Sequence, residues 1–286
     1  MKLAIGIDLG GTKISGVLMN EKGKVLKKYS RPTEAQKSKS EVLDNIAEVI
    51  NSFKRKGVKG VGVATPGFVL PDGKLSLVRN IPSLEGALIK KDLEKRTKLK
   101  VVIENDANCF ALAEQRMGAA KGHKYVVGVI IGTGVGSGII IDGKIYRGVL
   151  GGAGEIGHTK IMILDKIKDV ESLISGPSLM KRYEELSGKI LDNPKELVEL
   201  IGKDDDANKV YAEFILYAGL FFANIINTFN PGCIVVGGGV SNVPFYDRVL
   251  KVAEKYSNSF MFKACKIVKN KLGADSGVLG AAQLVL

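Results

Sequence analysis

Short apolar runs, broken by glycine and charge, open the chain. Residues 3–9 read as a strand, Gly10-Gly11-Thr12-Lys13 as a turn and residues 14–19 as a second strand. Asn20-Glu21-Lys22-Gly23 turns the chain again into residues 24–29, completing a three-stranded meander. From 40 to 56 the period changes: Val42, Leu43, Ile46, Val49, Ile50 and Phe53 recur at helical spacing. Residues 58–64 return as a largely apolar strand. Three strands, a helix and a strand define a mixed α/β unit.

The pattern is then written a second time. Residues 127–131, the turn Gly132-Thr133-Gly134, residues 137–141 and Asp142-Gly143-Lys144 match residues 5–9, Gly10-Gly11-Thr12, residues 15–19 and Glu21-Lys22-Gly23-Lys24. Repetition of a whole supersecondary unit predicts a duplicated fold with two related lobes, and the cleft between lobes is the default place for a ligand. Helical spacing reappears at 171–187, 194–201 and 207–229; residues 233–236 read as a buried strand ending in Gly237-Gly238-Gly239, and 276–284 as a closing helix. No low-complexity linker separates the halves. The crossovers are therefore expected near Asp106 and Asp275, dividing the chain into a small lobe of 1–106 plus 275–286 and a large lobe of 107–274.

Charge and composition narrow the function classes. Between Glu213 and Asp247 there is no charged residue, a length that could cross a membrane. Asn224, Asn227, Asn230, Pro231 and the triple glycine interrupt it, so a buried helix followed by a buried strand is the expectation. The net charge of +12 comes from lysines scattered along the chain and not from a basic block. No nucleic-acid surface is implied; the diffuse field suits a solvated surface and attracts small anions such as nucleotides. Three cysteines, Cys109, Cys233 and Cys265, form no CxxC pair, which excludes a disulfide framework and fits a reducing cytoplasm. Asp8 falls where a signal peptide would be apolar, so no secretion is expected.

Several motifs carry chemistry. In Asp8-Leu9-Gly10-Gly11-Thr12-Lys13 a carboxylate ends a strand and two glycines form the tip; glycine lets backbone N–H groups converge on a phosphate, and the carboxylate suits hydrated Mg²⁺. Alone this is equally a plain hairpin turn. The second turn, Gly132-Thr133-Gly134-Val135-Gly136-Ser137-Gly138, changes the picture, because matching turns in two lobes can clamp a polyphosphate from both sides. Neither is a Walker A or a Rossmann turn, since both lead into strands. Gly237-Gly238-Gly239 offers bare backbone to a base or ribose, or simply tight packing. Glu104-Asn105-Asp106-Ala107-Asn108 ends another strand, with Asp106 either facing a ligand or capping the helix at 107–117. Gly154-Glu155-Ile156-Gly157-His158 holds one of two histidines; the other, His123, reads as surface.

These residues resemble the ROK family of bacterial and archaeal sugar kinases and sugar-responsive repressors. The matches run in order along nearly the whole chain: the Asp8 to Lys13 turn, Ala64-Thr65-Pro66-Gly67, Asn80-Ile81-Pro82, Glu104 to Asn108, Gly132 to Gly138, Gly154 to His158, Glu171 with Ser175-Gly176-Pro177, and Asn230-Pro231 before the triple glycine. The resemblance implies an α/β actin-like ATPase (ribonuclease H-like) duplicated fold with two lobes around a central cleft. It implies ATP-dependent phosphorylation of a hexose with Mg²⁺, glucose to glucose 6-phosphate first, N-acetylmannosamine, N-acetylglucosamine or fructose otherwise. Asp106 would be the base. Gly67, Asn80, Asn105, Asp106, Glu155, His158 and Glu171 would bind sugar. Asp8, Gly10, Gly11, Thr12, Lys13, Gly132, Thr133, Gly134, Gly136, Gly238 and Gly239 would hold ATP, with Asp8 reaching Mg²⁺ through water.

Relatives are often dimers or tetramers, so a homo-oligomer is expected. The repressors of the family place a helix-turn-helix ahead of the first strand; with that strand at Leu3, a kinase is expected in place of a sugar-binding regulator. One departure matters. Members commonly carry a CxCGxxGC zinc loop between the residues matching His158 and Glu171, and Thr159 to Val170 contains no cysteine. No zinc site is expected, and His158 would lack the metal that fixes its ring in relatives.

Overall fold

The computed structural model describes residues 2–163, 165–243 and 245–286. Two five-stranded sheets share one order. In the first, Val25–Pro32, Lys13–Asn20, Leu3–Leu9, Val58–Thr65 and Val101–Asn105 lie side by side; in the second, Lys144–Ile145, Val135–Ile141, Val126–Ile131, Cys233–Gly237 and Lys266–Lys269 do. Each has two antiparallel pairings followed by two parallel ones. The central strands are apolar on both faces because helices cover both. This is the duplicated actin-like arrangement of two lobes.

A helix leads into the fourth strand of each unit. Lys39–Asn51 starts in a capping box, with the Ser38 hydroxyl accepting from the Glu41 N–H and the Glu41 carboxylate from the Ser38 N–H, and its apolar stripe is buried on the first sheet. Its counterpart, Asp205–Phe229, starts at Asp204, whose carboxylate accepts from the N–H groups of Asp206 and Ala207, and stops at Asn230 in the left-handed region (φ 43°). It is long and apolar enough to span a membrane, yet Phe214, Phe221, Phe222 and Ile226 lie in the core under the second sheet. The uncharged stretch is thus a core helix and strand, as its asparagines and glycines suggested.

The last helix of each unit changes sheets. Asp106–Arg116 follows the first sheet's final strand but packs on the second: a Cβ on Gly138 would stand 2.4 Å from the Ala107 carbonyl oxygen, and one on Gly128 2.8 Å from the Ala111 Cβ. Ser276–Gln283 follows the second sheet's final strand and packs on the first, where a Cβ on Gly62 would stand 1.7 Å from the Ala281 oxygen. Fully buried Glu114 ties the two crossovers together, accepting from the N–H groups of Ala119, Lys271 and Leu272 and from the Ser276 hydroxyl.

Three local expectations are corrected. The helical spacing at 171–187 belongs to two helices, Glu171–Ile174 and Gly176–Ser187, because Ser175 is extended (ψ 155°) and Gly176-Pro177 starts afresh. The helix begun at Lys39 ends at Asn51, short of residue 56. The two hairpins also differ by one residue: Leu9 pairs with Ile14 across a four-residue turn, Ile131 with Val135 across three. Side chains of the second strand therefore face the opposite way from their sequence matches, so Gly16 packs on Phe53 while Gly138 meets the Asp106 helix.

Candidate active site

Both glycine turns are held from behind by buried groups. At the first, the Gly10 N–H donates to the Lys13 carbonyl (3.0 Å), and fully buried Thr33 donates its hydroxyl to the Gly10 carbonyl (2.6 Å) and its N–H to the Thr12 carbonyl (2.9 Å). Thr12 and Lys13 stay exposed at the tip. Gly11 abuts Asn80, whose carbonyl oxygen would be 3.0 Å from an added Cβ.

At the second turn the Gly132 N–H donates to the Gly134 carbonyl (2.9 Å), and the Gly132 carbonyl accepts from Gly176 at a helix start (2.8 Å). Glu171 accepts the Val135 N–H on Oε2 (2.8 Å), and a Cβ on Gly134 would lie 2.6 Å from that oxygen, so a larger residue there would displace the Glu171 carboxylate. Thr133 and Gly136 are exposed. Gly238, at φ 82°, rests on the Ile131 carbonyl, which puts the third glycine cluster beside this turn, and Gly239 faces open space. Glu171 is thus bonded to the turn that the sequence assigns to ATP, although the resemblance gave it to the sugar.

A carboxylate pair occupies the crossover. Asn105, not Asp106, caps the helix: its side-chain oxygen accepts from the Asn108 N–H (3.1 Å) while its amide donates to the Gly67 carbonyl (3.0 Å). Asp106 is the first helical residue, accepting its neighbour Ala107's N–H (2.8 Å) and leaving an oxygen for other partners. Burial pushes its carboxyl above the usual range, the N–H of Ala107 and the Asn105 side chain oppose that, and the Glu155 charge adds to it. Asp8, half-buried against Gly277, is pushed up to about 6, first by burial, then by the Asp106 charge, with Lys13 pulling it down. His158 Nε2 lies 3.5 Å from a Glu155 oxygen, both side chains largely open to solvent.

Gly67, Asn105, Asp106, Glu155 and His158 therefore share one neighbourhood, which Asp8 joins to the first turn and to Asn80. Glu171, Gly238 and Gly239 gather at the second turn. Sequence reasoning passed over three supporting residues. Thr33 gave no motif signal. Glu104 lay inside a motif but was not singled out: 2% exposed, it accepts from Asn105 N–H (2.8 Å) and Asn108 Nδ2 (3.0 Å) and is paired with Arg147, a residue with no signal of its own.

No cluster of three or more His, Cys, Asp or Glu able to hold a metal exists among the described residues. In the interval where the resemblance would place a cysteine-rich loop, the chain folds as a hairpin of Lys160–Ile163 and Lys166–Asp169 with Met162 opposite Ile167; Leu164 lies outside the described residues.

Comparison with known proteins places the chain in a family. An N-acetyl-D-glucosamine kinase of Histophilus somni (strain 129Pt) is 35% identical over 304 residues, covering 98% of each chain. Among solved structures, a ROK hexokinase from Thermus thermophilus superposes with a TM-score of 0.87 at 29% identity, over 99% of this chain and 97% of that one. A ROK family glucokinase from Streptomyces griseus, in complex with glucose and AMPPNP, gives 0.75 at 28% identity over 99% of both chains. The ROK family model matches residues 4–286, and the chain belongs to the ROK family.

Proposed function

We propose that the protein is a sugar kinase that transfers the terminal phosphoryl group of ATP to a hydroxyl of a hexose-type sugar. One observation carries the reading: Asp106 opens the helix that passes from the first sheet to the second, where its charge acts on the nucleotide-side Asp8 and the sugar-side Glu155 charge acts on it. Sequence reasoning put glucose first. The relative from Histophilus somni is named for N-acetylglucosamine, so that sugar now stands first, with N-acetylmannosamine, glucose and fructose behind it. A crossover near Asp106 and Asp275, with small lobe 1–106 plus 275–286 and large lobe 107–274, is supported by the exchange of the two final helices. The working compartment we infer is the cytoplasm, and the working form a homo-oligomer.

In this reading Asp106 accepts the proton of the attacking hydroxyl, and a positioned base contributes about 10²–10⁴-fold. Its raised proton affinity suits the task, because a base poised nearer neutral pH accepts a proton more readily than an ordinary carboxylate. Gly67, Asn80, Asn105, Glu155 and His158 orient the sugar so that one hydroxyl faces phosphorus. Gly10, Gly11, Thr12 and Lys13 on one lobe and Gly132, Thr133, Gly134 and Gly136 on the other hold the triphosphate, Glu171 braces the second turn, and Gly238 and Gly239 receive the nucleoside. Phosphoryl transfer asks mainly for such alignment.

The residues fit Mg²⁺. Burial and the Asp106 charge leave the Asp8 carboxyl short of positive charge, and with no metal-binding cluster among the described residues the ion would take its other ligands from phosphate oxygens and water. When bound, Mg²⁺ supplies charge neutralisation at the phosphates. A coupled ADP-release assay over these four sugars tests the reading. ADP release that depends on sugar supports it; sugar binding without turnover on any of the four would make the protein a sugar-binding regulator.

A further inference from the structure

The segment from Arg147 to Gly154 crosses between the lobes. Both ends are fixed to the second sheet: the Tyr146 N–H donates to the Ile139 carbonyl (2.8 Å), and the Ser137 hydroxyl donates to the Gly154 carbonyl (2.6 Å). Its middle lies on the first lobe. A Cβ on Gly151 would stand 2.4 Å from the Val69 carbonyl oxygen, and one on Gly152 3.2 Å from the Phe68 ring, immediately after Gly67. The Arg147 carbonyl accepts the Ala153 N–H (3.1 Å), closing the segment into a loop.

Arg147 then reaches back to the first lobe. Its Nε and Nη2 converge on Glu104 Oε2 at 2.6 and 2.5 Å, while the other oxygen of Glu104 holds the Asn105 N–H and the Asn108 amide at the start of the Asp106 helix. One buried carboxylate thus bonds both to the loop that leads into Glu155 and to the cap that presents Asp106. Glu104 is buried and Arg147 half-exposed, so the pair adds little net stability, but removing the guanidinium strands the buried carboxylate and so the pair fixes geometry.

We propose that Glu104 and Arg147 are positioning residues: they latch the 147–154 strap to the first lobe and so set the placement of Glu155 and His158 relative to Asp106. The inference deepens the kinase reading and rests on it. A misplacement of about 1 Å costs on the order of 10²-fold in rate, which sets the expected effect.

The test compares R147A, R147K, E104Q and the double variant E104Q/R147A with the parent, using N-acetylglucosamine and ATP, each checked for folding by circular dichroism. R147A and E104Q should lower kcat/KM for sugar by about 10²-fold while the ATP KM stays within about twofold. The double variant should be no worse than the poorer single one, since both act through one contact. R147K, which keeps the charge but supplies one nitrogen, should recover part of the loss and remains informative if R147A does not fold. Folded variants with sugar kcat/KM within about threefold of the parent, or losses that simply add in the double variant, would overturn the latch. D106A separates the two levels. No sugar-dependent ADP release from the parent fails the kinase reading itself, near-parental turnover in D106A removes Asp106 as the base, and an inactive D106A beside a normal R147A removes only the latch.

Discussion

Gly280 in the closing helix lies so near the carbonyl of Cys109 that a Cβ there would stand 1.8 Å from that oxygen. The two helices that exchange sheets meet backbone to backbone at this point, and the protein accepts a glycine inside a helix, about 1 kcal/mol worse than alanine, to allow it. G280A should therefore destabilise in spite of its better helix propensity. Overpacking of this kind costs about 1–3 kcal/mol or more, a fall in Tm of roughly 2–5 °C in a chain of this size. Thermal melting by circular dichroism reads it directly. A Tm at or above the parent's would mean that the helices slide apart freely and that their contact is not a fixed pivot.

Asp106 carries the chemistry in the proposed reaction but touches no residue of either glycine turn by hydrogen bond. D106A should accordingly reduce kcat by about 10²–10⁴-fold. ATP affinity, measured by calorimetric titration, should stay within about twofold of the parent, because an effect on the transition state alone leaves ground-state binding intact. Near-parental turnover would remove Asp106 as the base.

Asp8 makes a prediction about pH. Its carboxyl is raised to about 6 from 3.8, so the folded state favours the protonated form. The associated stability is fully present below pH 3.8 and is lost as pH rises through about 6. The difference between 3.8 and about 6 corresponds to roughly 3 kcal/mol. D8N removes the charge without changing shape, so at pH 7.5 the nucleotide-free variant should melt above the parent, and near pH 4 the two should converge. Saturating MgATP should narrow the gap at pH 7.5 by stabilising only the parent. Equal melting temperatures across that range would show that Asp8 is solvated as an ordinary carboxylate.

Much of this architecture can be read in the linear pattern, and the exceptions have physical reasons. The glycine turns and the repeated strands announced themselves because turns need glycine and buried strands are short apolar runs. The final strand Lys266–Lys269 did not, since only Ile267 and Val268 lie between lysines at a sheet edge. The one-residue slip between the hairpins was invisible because pairing register depends on turn length, which residue matching does not measure. Asp106 stood out through its motif, whereas its support from Arg147 comes from a residue distant in sequence and ordinary in type. Thr33 likewise braces the first turn from outside any motif. Long-range hydrogen bonds leave no local signature.

Glu171 is bonded to the second turn through one oxygen, and its two simplest replacements separate bracing from sugar contact. E171Q keeps a carbonyl that can accept the Val135 N–H, so its ATP KM should stay within about twofold of the parent. E171A leaves that N–H without an acceptor, and a hydrogen bond to a charged group is worth about 1.5–3 kcal/mol, so the ATP KM should rise tenfold or more. Steady-state kinetics with ATP varied at saturating sugar reads the split. An E171A variant with an unchanged ATP KM and a raised sugar KM would return Glu171 to the sugar side.

The hairpin that stands in place of a cysteine-rich loop leads to the last expectation. Met162 and Ile167 face each other across it, and Lys160 pairs with Asp169, so cross-strand contacts are expected to hold it without a metal. A structural zinc would contribute folding free energy outright and its removal would lower the melting temperature. Incubation with a zinc-selective chelator should leave the melting curve of this protein unchanged. EDTA should abolish phosphoryl transfer, and added Mg²⁺ should restore it in full, because the proposed ion arrives with the nucleotide and is held by Asp8 and phosphate oxygens. A chelator-induced fall in Tm that zinc, but not Mg²⁺, reverses would show that His158 and its neighbours hold a metal after all.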